Sequence, residues 1–170
     1  MLPLWTVAEA VAATGGRPEG LSDGPLGSVS IDSREIEAEA LFVAIKGDKL
    51  DGHDYVEAAL TAGAAAALVS EEWFKAHGGT KLIVVPDPLE ALRALGRAAR
   101  ARSKAIVVAV TGSAGKTTTK EAIRTVLSEA GPTHWSIKSF NNHWGVPLML
   151  ARLPREAQYG VFDIGMNHAG

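Results

Sequence analysis

Short apolar runs alternate with stretches of helical periodicity along this chain, the pattern of strands interleaved with helices. Thr6 and Glu9 form a capping-box pair ahead of Val7, Ala10 and Val11, which predicts a short helix stopped by Gly15 and Gly16. A loop rich in glycine, proline and serine follows to Gly27. Strands are then expected over 29–32 and 41–45, a helix over 54–62, and strands over 66–69 and 82–85. The alanine-rich segment 62–67 reads as tight helix-to-strand packing. Pro86 and Pro88 interrupt this small α/β unit, and Leu89, Leu92 and Leu95 keep helical spacing in a helix expected to reach Arg102.

A second unit starts with the apolar run 105–110, read as a buried central strand. A helix to Ala130, a turn at Gly131-Pro132, a short strand over 134–137, a helix over 146–152 and a strand over 159–164 complete a βαβ order that predicts a parallel sheet. The expected organisation is therefore α/β throughout. An amino-terminal α/β domain spans 1–86, a connecting helix 87–103, and a phosphate-loop parallel-sheet domain 104–170. About three strands make a small sheet for a complete nucleotide-binding domain, so the reading expects the front part of a longer enzyme.

Between the 105–110 strand and its helix lies TGSAGKTTT, residues 111–119. A glycine loop that passes from a strand into a helix can meet a nucleotide polyphosphate with backbone N–H groups, the positive helix end and the Lys116 ammonium. Gly112 and Gly115 allow the sharp turn and the close approach of backbone to phosphate. Ser113 and Ala114 alone separate them, where the general motif has about four residues, so the signal rests on the strand-loop-helix order and on Lys116-Thr117-Thr118 at the helix start. The phosphate contacts are assigned to residues 112–118, that is Gly112, Ser113, Ala114, Gly115, Lys116, Thr117 and Thr118. The Thr117 hydroxyl stands where a phosphate-bound Mg²⁺ takes an oxygen ligand.

Composition narrows the classes of function. At 170 residues and 46% hydrophobic content the chain can bury a real core. A net charge of −2 offers no general basic field, which argues against a nucleic-acid partner. There is no cysteine for a disulfide framework or a thiolate metal site. The first residues lack the basic and apolar regions of a secretory signal, and no apolar stretch exceeds strand length, so a soluble cytoplasmic protein without membrane insertion is expected.

Three ordered segments, TGSAGKTTTKE at 111–121, FNNHWGVPLMLARL at 140–153 and FDIGMNHAG at 162–170, together resemble the ATP-dependent Mur ligases, and within them the branch that adds D-Ala-D-Ala. SIDSREI at 30–36, ALFVAIKGDKLDGHDYVEAAL at 40–60 and the GAAAALVS that follows are similar to the uridine-sugar-recognition domain of that branch. The resemblance covers nearly the whole chain. It implies ATP and Mg²⁺ as cofactors, with UDP-MurNAc-tripeptide and D-Ala-D-Ala as substrates. The tripeptide carboxylate would be activated as an acyl phosphate and attacked by the dipeptide amine.

By the same resemblance Lys116 and Asp163 are the candidate catalytic residues, and Thr117, Asp163 and His168 the candidate metal residues. Asp163 stands where the family usually has a glutamate, and being one methylene shorter it would reach Mg²⁺ directly or through a water; a strand-end carboxylate that caps the next turn is the alternative. Ser33 and Arg34 match the family's Asp-Ser-Arg motif and would contact the UDP moiety, or belong to a side-chain turn made by Asp32. Asn141 and Asn142 match its substrate-side loop, or serve as a turn before a helix. His53 and Asp54 read as caps of the following helix, and Trp5 and Trp73 as partial core. The family's larger central domain and its carboxyl-terminal domain lie outside these motifs, so the 170-residue chain alone is expected to have no ligase turnover. A related amide ligase of the folylpolyglutamate type, and a non-catalytic nucleotide-binding module, are the alternatives on the same loop.

Overall fold

A computed structural model describes residues 2–137 and 140–165, and divides into two compact units, Met1–Leu95 and Gly96–Gly170. The division falls inside a helix.

The first unit opens with a two-residue strand β1 (Trp5–Thr6) that leads directly into helix α1 (Val7–Thr14). The capping box forms as the spacing predicts: Thr6 Oγ1 accepts the Glu9 N–H at 3.2 Å and Glu9 Oε2 accepts the Thr6 N–H at 2.8 Å. Gly15 ends the helix in the left-handed conformation, with φ 68°. The segment expected to be loop contains two strands, β2 (Arg17–Glu19) and β3 (Pro25–Leu26); β3 pairs antiparallel with β1. Four parallel strands follow, β4 (Ser28–Ser30), β5 (Ala40–Val43), β6 (Ala66–Ser70) and β7 (Leu82–Val85). With β2 antiparallel on β7 the sheet order is β2-β7-β6-β5-β4.

A 3-10 turn (Gly52–Tyr55) with helix α2 (Val56–Thr61) joins β5 to β6, and helix α3 (Glu71–His77) joins β6 to β7. Strands β5, β6 and β7 are buried almost throughout, as near-continuous apolar runs in a parallel sheet require. Phe42, Val69 and Val84 pack with Val56 and Ala59 of α2, and Trp73 and Phe74 of α3 lean on the same cluster. Trp5 is fully buried rather than partial core. The cap of the 3-10 turn is Asp51 rather than His53 or Asp54. Its carboxylate accepts both the backbone N–H (3.0 Å) and the Nδ1 side (2.6 Å) of His53, whose Nε2 in turn accepts the Ser70 N–H at 3.0 Å. His53 is thus a buried brace from this turn to the end of β6.

Helix α4 (Pro88–Arg102) starts one residue before the expected leucine. Proline fits the first helical position because no N–H is needed there, and Asp87 Oδ1 accepts the Leu89 N–H at 2.9 Å. Leu92, Leu95 and Ala99 form its buried stripe.

The second unit runs β8 (Ile106–Val110), α5 (Lys116–Ala130), β9 (Thr133–Trp135), α6 (Gly145–Ala151), β10 (Tyr159–Asp163). All pairings are parallel and the order is β8-β10-β9. The strand expected to be central is therefore an edge among the described residues: β10 takes the middle, and Ile106 of β8 is 64% exposed. Val161 and Phe162 of β10 are buried, because this strand has neighbours on both sides.

Candidate functional site

The carboxyl ends of β8, β9 and β10 share one edge of the second sheet, the edge where open α/β sheets place ligands. Asp163 pairs in register with Val110, the last residue before the glycine loop, and the Ile164 N–H donates to Val110 O at 2.9 Å. The loop that leaves β8 and the carboxylate that ends β10 are therefore adjacent because of strand register. Ser136, just past β9, joins the same edge through its N–H to Val161 O at 2.9 Å.

Gly115 is the residue before α5, with φ 76°, a backbone state that other residues adopt at a cost. The start of α5 has no side-chain cap, and its first turn has no acidic residue, so the helix's positive end is left for an outside anion. Ser113, Ala114, Gly115, Thr117 and Thr118 are exposed, and Gly112 and Lys116 are half-buried. The Lys116 ammonium folds back across the loop and donates to Gly112 O at 2.6 Å. This holds a positive charge among the loop's backbone groups, and an incoming phosphate would exchange one acceptor for a charged one.

Asp163 is 4% exposed, and its Oδ1 is buried with no hydrogen-bond partner among the described residues. An orphaned carboxylate oxygen in the interior is costly. Mg²⁺ favours oxygen ligands, and the exposed Thr117 hydroxyl on the adjoining helix is of the same type. Among the described residues no group of three or more His, Asp or Glu side chains is placed to hold a metal. A divalent ion here would complete its shell with phosphate and water oxygens, as Mg²⁺ commonly does in nucleotide sites, and the residues present fit that arrangement. His168, the other residue named for the metal, lies outside the described residues.

Asn141 and Asn142 also reach this edge. The Gly165 N–H donates to Asn141 O at 2.7 Å, which ties the 140–145 loop to the end of β10. Asn142 Oδ1 accepts the N–H groups of Gly145 (2.7 Å) and Trp144 (3.3 Å), so its amide oxygen is spent on starting α6. Gly145 is required there, since a Cβ would lie 2.6 Å from the Phe140 carbonyl carbon.

Ser33 and Arg34 sit in the first unit, just beyond β4. The Asp32 carboxylate accepts the Arg34 backbone N–H (2.9 Å), Nε (2.9 Å) and Nη2 (2.7 Å). Hydrogen bonding to Asp32 raises the pKa of the Arg34 guanidinium, which stays charged while its side chain remains 86% exposed. Ser30 Oγ bonds the Asp32 backbone on both sides, at 3.1 and 3.2 Å. The turn reading of this motif is thus realised, and it also presents a permanent cation.

Sequence reasoning passed over Lys120 and Ser136, both buried at the sheet edge. The available signal was the spacing of Lys120 four residues after Lys116, which puts both on one face of α5.

Comparison with known proteins follows the same residues. Residues 26–130 match the description "Mur ligase family, catalytic domain", and residues 110–170 match "Mur ligase middle domain". The chain is 36% identical over 164 residues to the UDP-N-acetylmuramoyl-tripeptide--D-alanyl-D-alanine ligase of Bacillus subtilis, covering 96% of this chain and 36% of that protein. Against the ligase of the same name from Escherichia coli it is 38% identical over 149 residues, covering 88% and 32%. It superposes on MurF from Acinetobacter baumannii with a TM-score of 0.83 and 36% identity, over 98% of this chain and 36% of that one. On the MurF ligase of Thermotoga maritima in complex with ADP the TM-score is 0.66 at 29% identity, over 80% and 31%. The chain spans about a third of the length of these relatives. With one of the two family matches covering well over half of its residues, and the glycine loop and strand-end carboxylate placed at one sheet edge, the chain belongs to the Mur ligase family.

Proposed function

We propose that this chain supplies the uridine-sugar-recognition domain and the phosphate-loop part of an ATP-dependent ligase that joins D-Ala-D-Ala to UDP-MurNAc-tripeptide in peptidoglycan precursor synthesis, in the cytoplasm. The observation that carries the reading is the open glycine loop beside the buried, partnerless Asp163 Oδ1. Relatives that bear the name of this reaction match over most of the chain.

In this reading residues 1–86 recognise UDP-MurNAc. Ser33 and the charged Arg34 turn would meet the UDP moiety, while the helix 87–103 links that domain to the ATP-binding part. Gly112 to Thr118 hold the phosphates of ATP by backbone N–H groups, and Lys116 moves from Gly112 O to the phosphate oxygens. Thr117 and Asp163 would hold Mg²⁺, which supplies charge neutralisation during phosphoryl transfer to the tripeptide carboxylate. Lys116 contributes the same kind of stabilisation from the protein side. Asn141 and Asn142 border the loop where the activated carboxylate would lie. Among the described residues no helix is long and apolar enough to cross a membrane.

Calorimetric titration of the chain with UDP-MurNAc-tripeptide, with UDP and with Mg-ATP tests the reading. Saturable binding of the UDP-sugar and of Mg-ATP is expected. A chain that is folded by circular dichroism and binds neither would refute it.

A further inference from the structure

Lys120 is 4% exposed, and its ammonium donates to Ser136 O at 2.9 Å. Glu121 Oε1 lies 3.7 Å from the ammonium, and Glu121 is half-exposed and already bonded to Arg124 at 2.8 Å. Burying an ammonium costs free energy that one carbonyl and a half-exposed acid shared with Arg124 offset only in part, and an apolar residue would pack the same helix face without that cost. The serine that receives it is 1% exposed and is bonded on three sides. Its carbonyl takes Lys120, its N–H donates to Val161 O at 2.9 Å, and its hydroxyl accepts the Asp163 N–H at 3.2 Å. A buried cation and a buried carboxylate with a free oxygen are therefore suspended from one residue at the sheet edge.

We propose that Lys120 is a positioning residue for the metal-triphosphate end of the site. Its ammonium fixes Ser136, Ser136 fixes the backbone of Asp163, and the aim of Asp163 Oδ1 toward a divalent cation follows. This inference rests on the nucleotide reading above and assigns a role within it to two residues that the sequence motifs do not single out.

The test is ATP affinity of the full chain, measured by calorimetry with magnesium and with EDTA, for wild type, Lys120→Met, Ser136→Ala and the double variant. Wild type should bind more tightly with magnesium. Lys120→Met should keep the EDTA affinity and lose roughly 10-fold of the magnesium-dependent gain, the size of effect typical of residues behind a metal ligand. Ser136→Ala should lose part of that gain with Lys120 intact, and the double variant should lose less than the two single losses combined, because both act through one chain of contacts. Equal weakening with and without magnesium, or full retention of the gain in either single variant, would overturn the inference. Should Lys120→Met fail to fold, Ser136→Ala decides alone. A wild-type chain with no ATP binding would instead sink the nucleotide reading itself.

Discussion

Among the described residues the Lys116 ammonium makes one hydrogen bond, to a backbone carbonyl of its own loop, and it is not part of the buried core. Lys116→Ala should therefore leave the melting temperature near wild type and weaken ATP binding by roughly 10- to 100-fold, the equivalent of about 1.5–3 kcal/mol for a hydrogen bond to a charged group. Calorimetry and thermal melting on the same sample check both halves, and unchanged affinity would make the loop a structural turn. His134 behaves in the opposite way, since it is built into the fold. Burial lowers its pKa below the ordinary 6.5, Arg152 pushes in the same direction, and the bond from Nε2 to Met149 O (2.8 Å) opposes them only in part. The unfolded chain then takes up a proton at a higher pH than the folded one, so stability is complete above the unfolded value of 6.5 and falls as pH drops through the lower folded value. His134→Gln, which keeps a donor for Met149 O, should flatten the decline in melting temperature between about pH 7 and pH 5. An unaltered slope would exclude His134 as its source. Lys116 could be singled out as a candidate from the sequence because a short motif contains its rationale, whereas the neighbourhood of Asp163 depends on its pairing with Val110 across the sheet. His53 was not legible, since its partner Ser70 lies 17 positions away and only the fold brings them together.

Elements were legible where the local signal and the final burial agree. The run at 66–69 became β6 and that at 82–85 became β7, both buried on two faces. The capping box at Thr6 formed because all its parts are within one turn. Thr6→Ala should cost about 1 kcal/mol of stability, read from chemical denaturation, and a null effect would mean that tertiary packing alone holds α1. The misses have a common cause. Strand β2 is Arg-Pro-Glu, polar and interrupted by proline, and it is a strand only because the edge of β7 accepts it. Helix α3 has no fully buried residue, so its apolar stripe is weak, although Ser70 caps it and Glu71 and Glu72 fill its first turn. The edge position of β8 was equally hidden, because an apolar run states that a strand packs and not which neighbours it has.

At the scale of the whole molecule, the two larger sheets, one parallel apart from β2 and one wholly parallel, are ordered differently along the chain. Strands β4, β5, β6 and β7 lie side by side in the order of synthesis, whereas among the described residues β8 and β9 are joined only by β10, which follows both of them in the chain. The family-level architecture was legible from ordered motifs, but strand order was not, since it depends on pairing between distant segments. Chain order therefore sets when each sheet can exist during translation. From β4 to β7 the first can grow by adding each new strand to the one before it, with β2 waiting for β7, but the described strands of the second have no pairing until the polypeptide has passed residue 159. A polypeptide ended at Arg155 and pulsed with protease should yield a resistant amino-terminal piece of about the first unit and a digested remainder; equal resistance of both parts would contradict the order. The glycine loop thus emerges from the ribosome well before the strand that pairs beside it, so a nascent chain would expose that loop some 50 residues before the sheet edge around it is built.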